Sequence, residues 1–156
     1  RPRVEIAEAT DHLDDVRALF SEYAASLEID LSYQNFSKEL SGLPGKYAPP
    51  DGRLFVAFVG GQSAGCIALR RFDETRAEMK RLYVRPAFRG YHLGRLLAER
   101  AITSARDVGY AAVLLDTLST MNTAKQLYRE LGFVEIEPYY DSPIRGTTFL
   151  QLSLHC

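Results

Sequence analysis

The sequence predicts a single α/β (α+β) domain, residues 1–156, built on one mixed β-sheet. Runs of strand length alternate with segments whose apolar residues recur every three and four positions, in the order β, α, α, β, β, β, α, β, α, β, β. Gly60-Gly61-Gln62 joins two apolar, β-rich runs through a tight hairpin, which makes the strands in the middle of the chain antiparallel. The strand at 76–84, the helix that begins at Gly94 and the strand from Ala111 form a βαβ unit, whose two strands run parallel.

Each element has its own signal. Residues 4–9 set Val4 and Ile6 against Glu5 and Glu8 as a short strand, after which Thr10 and Asp11 offer side-chain oxygens to a helix N-terminus. Leu13, Val16, Leu19, Phe20, Tyr23, Ala24 and Leu27 form one apolar helix face from about residue 12 to 27, opposite an acidic face. Tyr33, Phe36 and Leu40 carry a shorter helical pattern, and the prolines and glycines of 41–52 make a loop. Strands follow at 54–59, 63–71 and 76–84, the last ended by Pro86. The helix from Gly94 is patterned by Leu96, Leu97, Ala101, Ile102 and Ala105 and stops at Gly109, a residue suited to a left-handed cap. A buried strand at 111–115, a helix at 121–131 stopped by Gly132, a strand at 133–136 and an alternating strand at 147–154 complete the chain. No repeat and no linker divides it.

Composition bounds the function. Hydrophobic residues at 46%, charged residues at 25% and aromatics at 11% exclude disorder and collagen-like repeats. With 19 Lys and Arg against 20 Asp and Glu, the net charge of -1 exerts no global pull on nucleic acid or anionic lipid, so any anion site must be local. No apolar stretch approaches the roughly 20 residues of a membrane helix, and Arg1-Pro2-Arg3 leads directly into strand-like Val4-Glu5-Ile6 without a signal-peptide core. Cys66 and Cys156 form no CxxC, and no His stands at metal-ligand spacing. The expectation is a cytoplasmic protein with reduced thiols, no metal, and no nucleic-acid or membrane partner.

Ligands of such sheets sit where the carboxyl ends of the strands open, which directs attention to the turn between strand 76–84 and the next helix. There Arg85-Pro86-Ala87-Phe88-Arg89-Gly90-Tyr91-His92-Leu93-Gly94-Arg95 combines a helix N-terminus, glycines that permit close backbone approach, and the charges of Arg89 and Arg95. The turn suits phosphate; a capped turn with solvated arginines is the plainer reading. It matches neither the P-loop nor the dinucleotide-binding pattern.

The run Glu78-Met79-Lys80-Arg81-Leu82-Tyr83-Val84-Arg85-Pro86, followed by Arg89-Gly90-Tyr91-His92-Leu93-Gly94, resembles the acetyl-CoA pyrophosphate loop of the GNAT superfamily of N-acetyltransferases, [Q/R]xxGx[G/A]. Downstream, Leu115-Asp116-Thr117, then Asn122, Ala124, Leu127-Tyr128 and Leu131-Gly132-Phe133 resemble the strand and helix that follow that loop in the family. One position departs: His92 stands where the family carries glycine. A backbone N–H survives that change, and negative φ in the first helical turn would accommodate the side chain.

The resemblance implies a GNAT-like, mostly antiparallel twisted sheet with a central parallel pair and flanking helices, and acetyl-CoA as cosubstrate. It implies pantetheine contacts from Leu82 and Val84, pyrophosphate contacts from Arg89, Gly90, Tyr91, His92, Leu93, Gly94 and Arg95, and Asn122 beside the arm. Tyr128 falls where many members place a tyrosine that protonates the departing thiolate, and Glu78 where several carry a base acting through water. Strand alternation puts Glu78, Lys80, Leu82 and Val84 on one face. The plainer reading of Glu78 is an ion-pair partner of Arg76, Lys80 or Arg81, that of Tyr128 is a packed tyrosine, and Asp116 reads as structural.

The implied acceptor side comprises residues 23–47 and 138–143. Glu22, Glu28, Asp30 and Asp141 are candidates to hold a cationic amine, and Tyr33, Tyr47, Tyr139 and Tyr140 to line its walls; a solvated acidic helix face is the alternative. The expected activity is transfer of acetyl from acetyl-CoA to a primary amine, of a small molecule ahead of a protein or peptide. A non-catalytic acyl-CoA sensor, to which His92 lends support, is the rival. Homodimers are frequent in the resembling family, and a homodimer is compatible with the sequence.

Overall fold

The computed structural model describes residues 2–27, 35–119 and 121–154. Strands β1 (Val4–Glu8), β2 (Arg53–Val59), β3 (Gln62–Arg71), β4 (Arg76–Val84), β5 (Ala112–Thr117), β6 (Val134–Ile136) and β7 (Thr148–Ser153) form a 7-stranded sheet in the order β1-β2-β3-β4-β5-β7-β6. Every neighbouring pair is antiparallel except β4 and β5. Helices α1 (Leu13–Leu27), α2 (Phe36–Ser41), α3 (Leu93–Val108) and α4 (Asn122–Glu130) flank it. This is the predicted architecture, with element ends displaced by a residue or two, where turns compete with regular structure. The loop over 41–52 contains a short 3-10 turn, Gly45–Tyr47, and a second one, Pro86–Phe88, follows β4. Gly109 caps α3 as expected, at φ 108, its N–H reaching the carbonyls of Ala105 and Arg106.

The sheet buries both faces. On one, Ala77, Met79, Val113 and Leu115 pack with Leu97, Ala101 and Ile102 of α3 and Tyr128 of α4. On the other, Val56, Cys66 and Ala68 pack with Val16, Leu19 and Phe20 of α1 and with Tyr47. Leu19, Phe20 and Leu97 are fully buried; each such side chain contributes about 1.5–3 kcal/mol by leaving water.

The register of β3 with β4 contains a one-residue slip. Arg71 pairs with Ala77, Arg70 with Glu78, Leu69 with Met79 and Ala68 with Lys80, but Cys66 pairs with Tyr83. The extra residue is taken up at Arg81, which adopts φ 63, a conformation costing an L-residue about 1–2 kcal/mol. Glu39 of α2 holds it there through two hydrogen bonds, from Nε at 2.9 Å and Nη2 at 3.2 Å, in a pair whose side chains are 3% and 6% exposed. The carbonyl of Arg81 also accepts from the buried Cys66 thiol at 3.4 Å. The bulge changes the parity of the strand. Leu82 and Val84 therefore pack on the α3 side with Ala77 and Met79, while Tyr83 joins the α1 side, where Glu78 and Lys80 already lie. The shared face expected for Glu78, Lys80, Leu82 and Val84 is thus corrected to two faces.

β4 and β5 pair only through Arg76–Ala112, Ala77–Val113 and Glu78–Leu114, although β4 runs on to Val84 and β5 to Thr117. The two parallel strands part beyond that point.

Candidate active site

The parting strands enclose a cleft. Its walls are residues 79–82 of β4 and 115–118 at the end of β5, closed by Tyr23 of α1 on one side and by Met121, Ala124 and Tyr128 on the other. Backbone edges that a continuous sheet would pair are left facing this space, where only a ligand or water can satisfy them.

The chain leaves β4 through the 3-10 turn Pro86–Phe88 and enters α3, whose Gly94 lies beside Leu127 of α4. The first helical hydrogen bond runs from Leu96 to the carbonyl of His92, and no side chain caps the helix, so the amides of Leu93, Gly94 and Arg95 have no partner among the described residues. Three free N–H groups and the positive end of the helix dipole favour an anion. His92 supplies the last residue before the helix at φ 59, so the negative φ that would have eased its entry is not adopted. The loop keeps a glycine-type backbone and forces histidine to follow it. A side chain at Gly94 would meet only Leu127 Cδ2, at 3.7 Å. The fold itself makes no demand for glycine at 94; the room is left for something outside the chain. Arg89 is exposed and makes no ion pair among the described residues, whereas Arg95 is engaged by Glu130 and by Glu99. Leu93 is 1% exposed and has only its amide to offer, and Tyr91 packs partly against the α3-side core. Gly90 turns the loop at φ 104.

Tyr128 is 7% exposed. Its ring tilts against Phe133 at 5.7 Å, and its hydroxyl has no hydrogen-bond partner among the described residues. Burial first, then the neighbouring Tyr23 and the charge of Asp116, push its pKa up, so it stays a proton donor. Asn122 opens α4 but is exposed and outside the cleft wall. Met121, Ala124 and Tyr128 share one helix face at three- and seven-residue spacing, and Asn122 points about a quarter-turn away from it. Met121, not Asn122, lines this cleft.

Glu78 lies at the apex, 3% exposed, below the cleft rather than in its wall. Arg70 Nε donates to its Oε1 at 2.9 Å and the Tyr139 hydroxyl to its Oε2 at 2.7 Å. The pairing partner is Arg70, not Arg76, Lys80 or Arg81. On β5, Asp116 accepts a hydrogen bond from Tyr140, and burial pushes its carboxyl up against that bond. Tyr139, Tyr140 and Phe149 stack edge to face with centroids 5.1–5.6 Å apart, which fixes both tyrosines.

The acidic candidates for amine binding are mostly spoken for. Glu22 is paired to Arg85 at 2.7 Å, Asp141 is exposed, and Glu28, Asp30 and Tyr33 lie outside the described residues. Tyr47 is fully buried beneath α1 and forms no wall of the cleft. Arg70 and Lys80 were not singled out from sequence. Arg70 had a usable signal: a tight turn over 72–75 places it opposite Glu78.

Free amides at a helix N-terminus, next in the chain after the strand that walls a cleft between parting parallel strands, suit an acyl-CoA-utilising transferase. The acetyltransferase (GNAT) family model matches residues 13–133. An uncharacterized N-acetyltransferase of Dictyostelium discoideum is 35% identical over 97% of this chain and 99% of its own, and one of Schizosaccharomyces pombe is 41% identical over 91% and 88%. An acetyltransferase structure from Streptococcus agalactiae superposes with TM-score 0.80 at 26% identity, covering 97% of this chain and 98% of that one. The PaiA N-acetyltransferase of Thermoplasma acidophilum, solved with coenzyme A, shares the fold at TM-score 0.74 and 18% identity over 97% and 99%. The chain belongs to the GNAT family and is an acetyl-CoA-dependent acyltransferase. The free amides of α3, the space at Gly94, the unpaired Arg89 and the open strand edges fit acetyl-CoA as its cosubstrate.

Proposed function

We propose that the chain transfers acetyl directly from acetyl-CoA to the primary amine of a small molecule, with Tyr128 protonating the departing thiolate. The observation that carries this reading is the Tyr128 hydroxyl, without a hydrogen-bond partner among the described residues and kept protonated by burial in the wall of the cleft. Leu82 and Val84 would flank the arm of the cosubstrate through their backbone. Residues 89–95 would hold its pyrophosphate, chiefly through the amides of α3 and the Arg89 charge. Asn122 stands at the rim, where it touches only a ligand that extends beyond the cleft. Acetyl-CoA supplies the activated acetyl group; the chain aligns it, excludes water and returns a proton to sulfur.

The geometry supports Glu78 as a positioning carboxylate rather than the base, because both its oxygens already accept hydrogen bonds. Its ion pair ties β3 to β4 at the apex, and its contact with Tyr139 ties both to the segment after β6. The amine's proton is then released to water. Support for a small acceptor comes from the narrow, walled cleft, which Tyr23 closes on the α1 side. We take the chain to act in the cytoplasm, without metal, nucleic acid or membrane; a homodimer is compatible with this reading. Among the described residues no helix is long and apolar enough to cross a membrane.

Thiol release from acetyl-CoA against amines, amino acids and peptides tests the proposal. Turnover with a small amine, lost in Tyr128→Phe, supports it. Tight acetyl-CoA binding with no turnover on any acceptor supports the sensor reading instead.

A further inference from the structure

Among the described residues, Lys80 is the cation of the cleft wall that no carboxylate contacts. It lines the cleft together with Tyr23, Leu82, Asp116 and Tyr128, on the α1 side of the sheet, away from the side to which Leu82 and Val84 turn. It makes no hydrogen bond or ion pair among the described residues.

The carboxylates around it are committed elsewhere. On its own strand, Glu78 is held through both oxygens by Arg70 and Tyr139. On β5, Asp116 is held by Tyr140. From α2, Glu39 is held by Arg81 and lies 3.9 Å from Lys46 Nζ. Arg81 and Lys46, also near Lys80, are positive and oppose it. Burial pushes the Lys80 pKa down to about 8, only partly offset by Glu78 and Asp116. A partly buried ammonium that no carboxylate contacts among the described residues, and whose burial Glu78 and Asp116 offset only in part, is an arrangement that a negative group on a ligand relieves.

The phosphates of acetyl-CoA have their own site at the α3 N-terminus, and its acetyl group is neutral, so the anion belongs to the acceptor. We propose that Lys80 binds a carboxylate carried by the acceptor, which makes the substrate class an amino acid or another small amine bearing a carboxylate near its nitrogen. The inference rests on the acetyltransferase reading above. It reverses the expectation from sequence that acidic residues hold a purely cationic amine.

The test compares matched pairs of acceptors, each amino acid beside its decarboxylated amine, in wild type, Lys80→Met and Lys80→Arg. Acetyl-CoA binding is measured on all three by calorimetry. The expected result is a wild-type preference for the carboxylate member of at least tenfold in kcat/KM, a ratio near one in Lys80→Met, retention of the preference in Lys80→Arg, and unchanged acetyl-CoA affinity. Equal use of both members by wild type overturns the inference and leaves the acetyltransferase reading standing. So does an unchanged ratio in Lys80→Met or an acetyl adduct on Lys80 itself, whereas a panel that stays silent with acetyl-CoA bound overturns the inference and supports the sensor reading. Failure to bind acetyl-CoA at all overturns the underlying reading instead.

Discussion

Arg70 and Glu78 are register partners across β3 and β4, and Arg70 Nε stands 2.9 Å from Glu78 Oε1 at the last rung before β4 and β5 part. The pair is buried on the Glu78 side, at 3% exposure, and a quarter exposed on the Arg70 side. Glu78→Gln leaves the guanidinium without its charge partner and is expected to cost about 1–3 kcal/mol in urea unfolding. Its kcat should fall evenly across pH, as befits a positioning group. A fall confined to the acid limb of the profile would restore Glu78 as the base.

Tyr128→Phe removes a hydroxyl that has no hydrogen-bond partner among the described residues. The fold is expected to keep its stability, and acetyl-CoA its Kd, while kcat falls about 100-fold, the lower end of the range for a lost general acid. Stopped-flow thiol release and calorimetry separate the two quantities. An unaltered kcat removes Tyr128 from the chemistry.

His92→Gly relieves a histidine held at φ 59. Against the relief stands the greater freedom of glycine in the unfolded chain, about 0.4–1 kcal/mol. The net expectation is a gain of up to about 1 kcal/mol, or a few degrees in Tm for a chain of this size. A lower Tm in differential scanning calorimetry would show that the ring has packing that outweighs the backbone strain.

Gly94→Ala should do the reverse of a usual core substitution. The added methyl meets only Leu127 at 3.7 Å, and alanine is the better helix former by up to about 1 kcal/mol, so Tm holds or rises. Acetyl-CoA affinity drops at least tenfold because the methyl occupies the approach to the free amides. If affinity survives, the cosubstrate does not come close to that turn.

The Glu39–Arg81 pair sets part of the acid stability. Burial raises the Glu39 pKa, but the hydrogen bonds and charge of Arg81 outweigh it and hold the carboxyl below its ordinary 4.5. A depressed folded-state pKa contributes stability that is fully present above pH 4.5 and is lost as pH falls through the lower, folded value. Glu39→Gln is expected to cost about 3–5 kcal/mol near neutrality, as breaking a buried pair does. It should also flatten the decline of Tm below pH 4.5. An unchanged acid decline would assign it to other carboxylates.

Local pattern was enough to read the architecture: Gly60-Gly61 placed the hairpin, Pro86 and Gly109 placed the ends of β4 and α3, and the βαβ unit placed the parallel pair. What escaped was decided by single-residue geometry. Counting alternate residues along β4 fails at Arg81, because nothing in Lys80-Arg81-Leu82 announces a bulge; a non-glycine residue sits there only because Glu39, distant in sequence, comes to meet it. On α4 too a single position decides which side chain meets the cleft, since one residue along a helix is about a quarter-turn, and Met121 rather than Asn122 lines it. Tyr47 went to the core because an aromatic in a proline-rich loop carries no periodicity to say which way it faces. Lys80 was visible only as a flanking charge, and its isolation depends on how Tyr139, Tyr140 and Arg70 occupy the acids around it.

The divergence of β4 from β5 makes this a sheet with an unfinished seam running through its middle. Interior strand edges are normally paired, which protects a protein from unwanted pairing with other chains; here a stretch of them faces the cleft. A ligand that completes those hydrogen bonds closes the seam and adds its binding free energy to folding, about 2.7 kcal/mol when present at 100 times its Kd. Resistance to heat and proteolysis should therefore track the supply of acetyl-CoA, so that the durability of the molecule becomes a readout of its own cosubstrate.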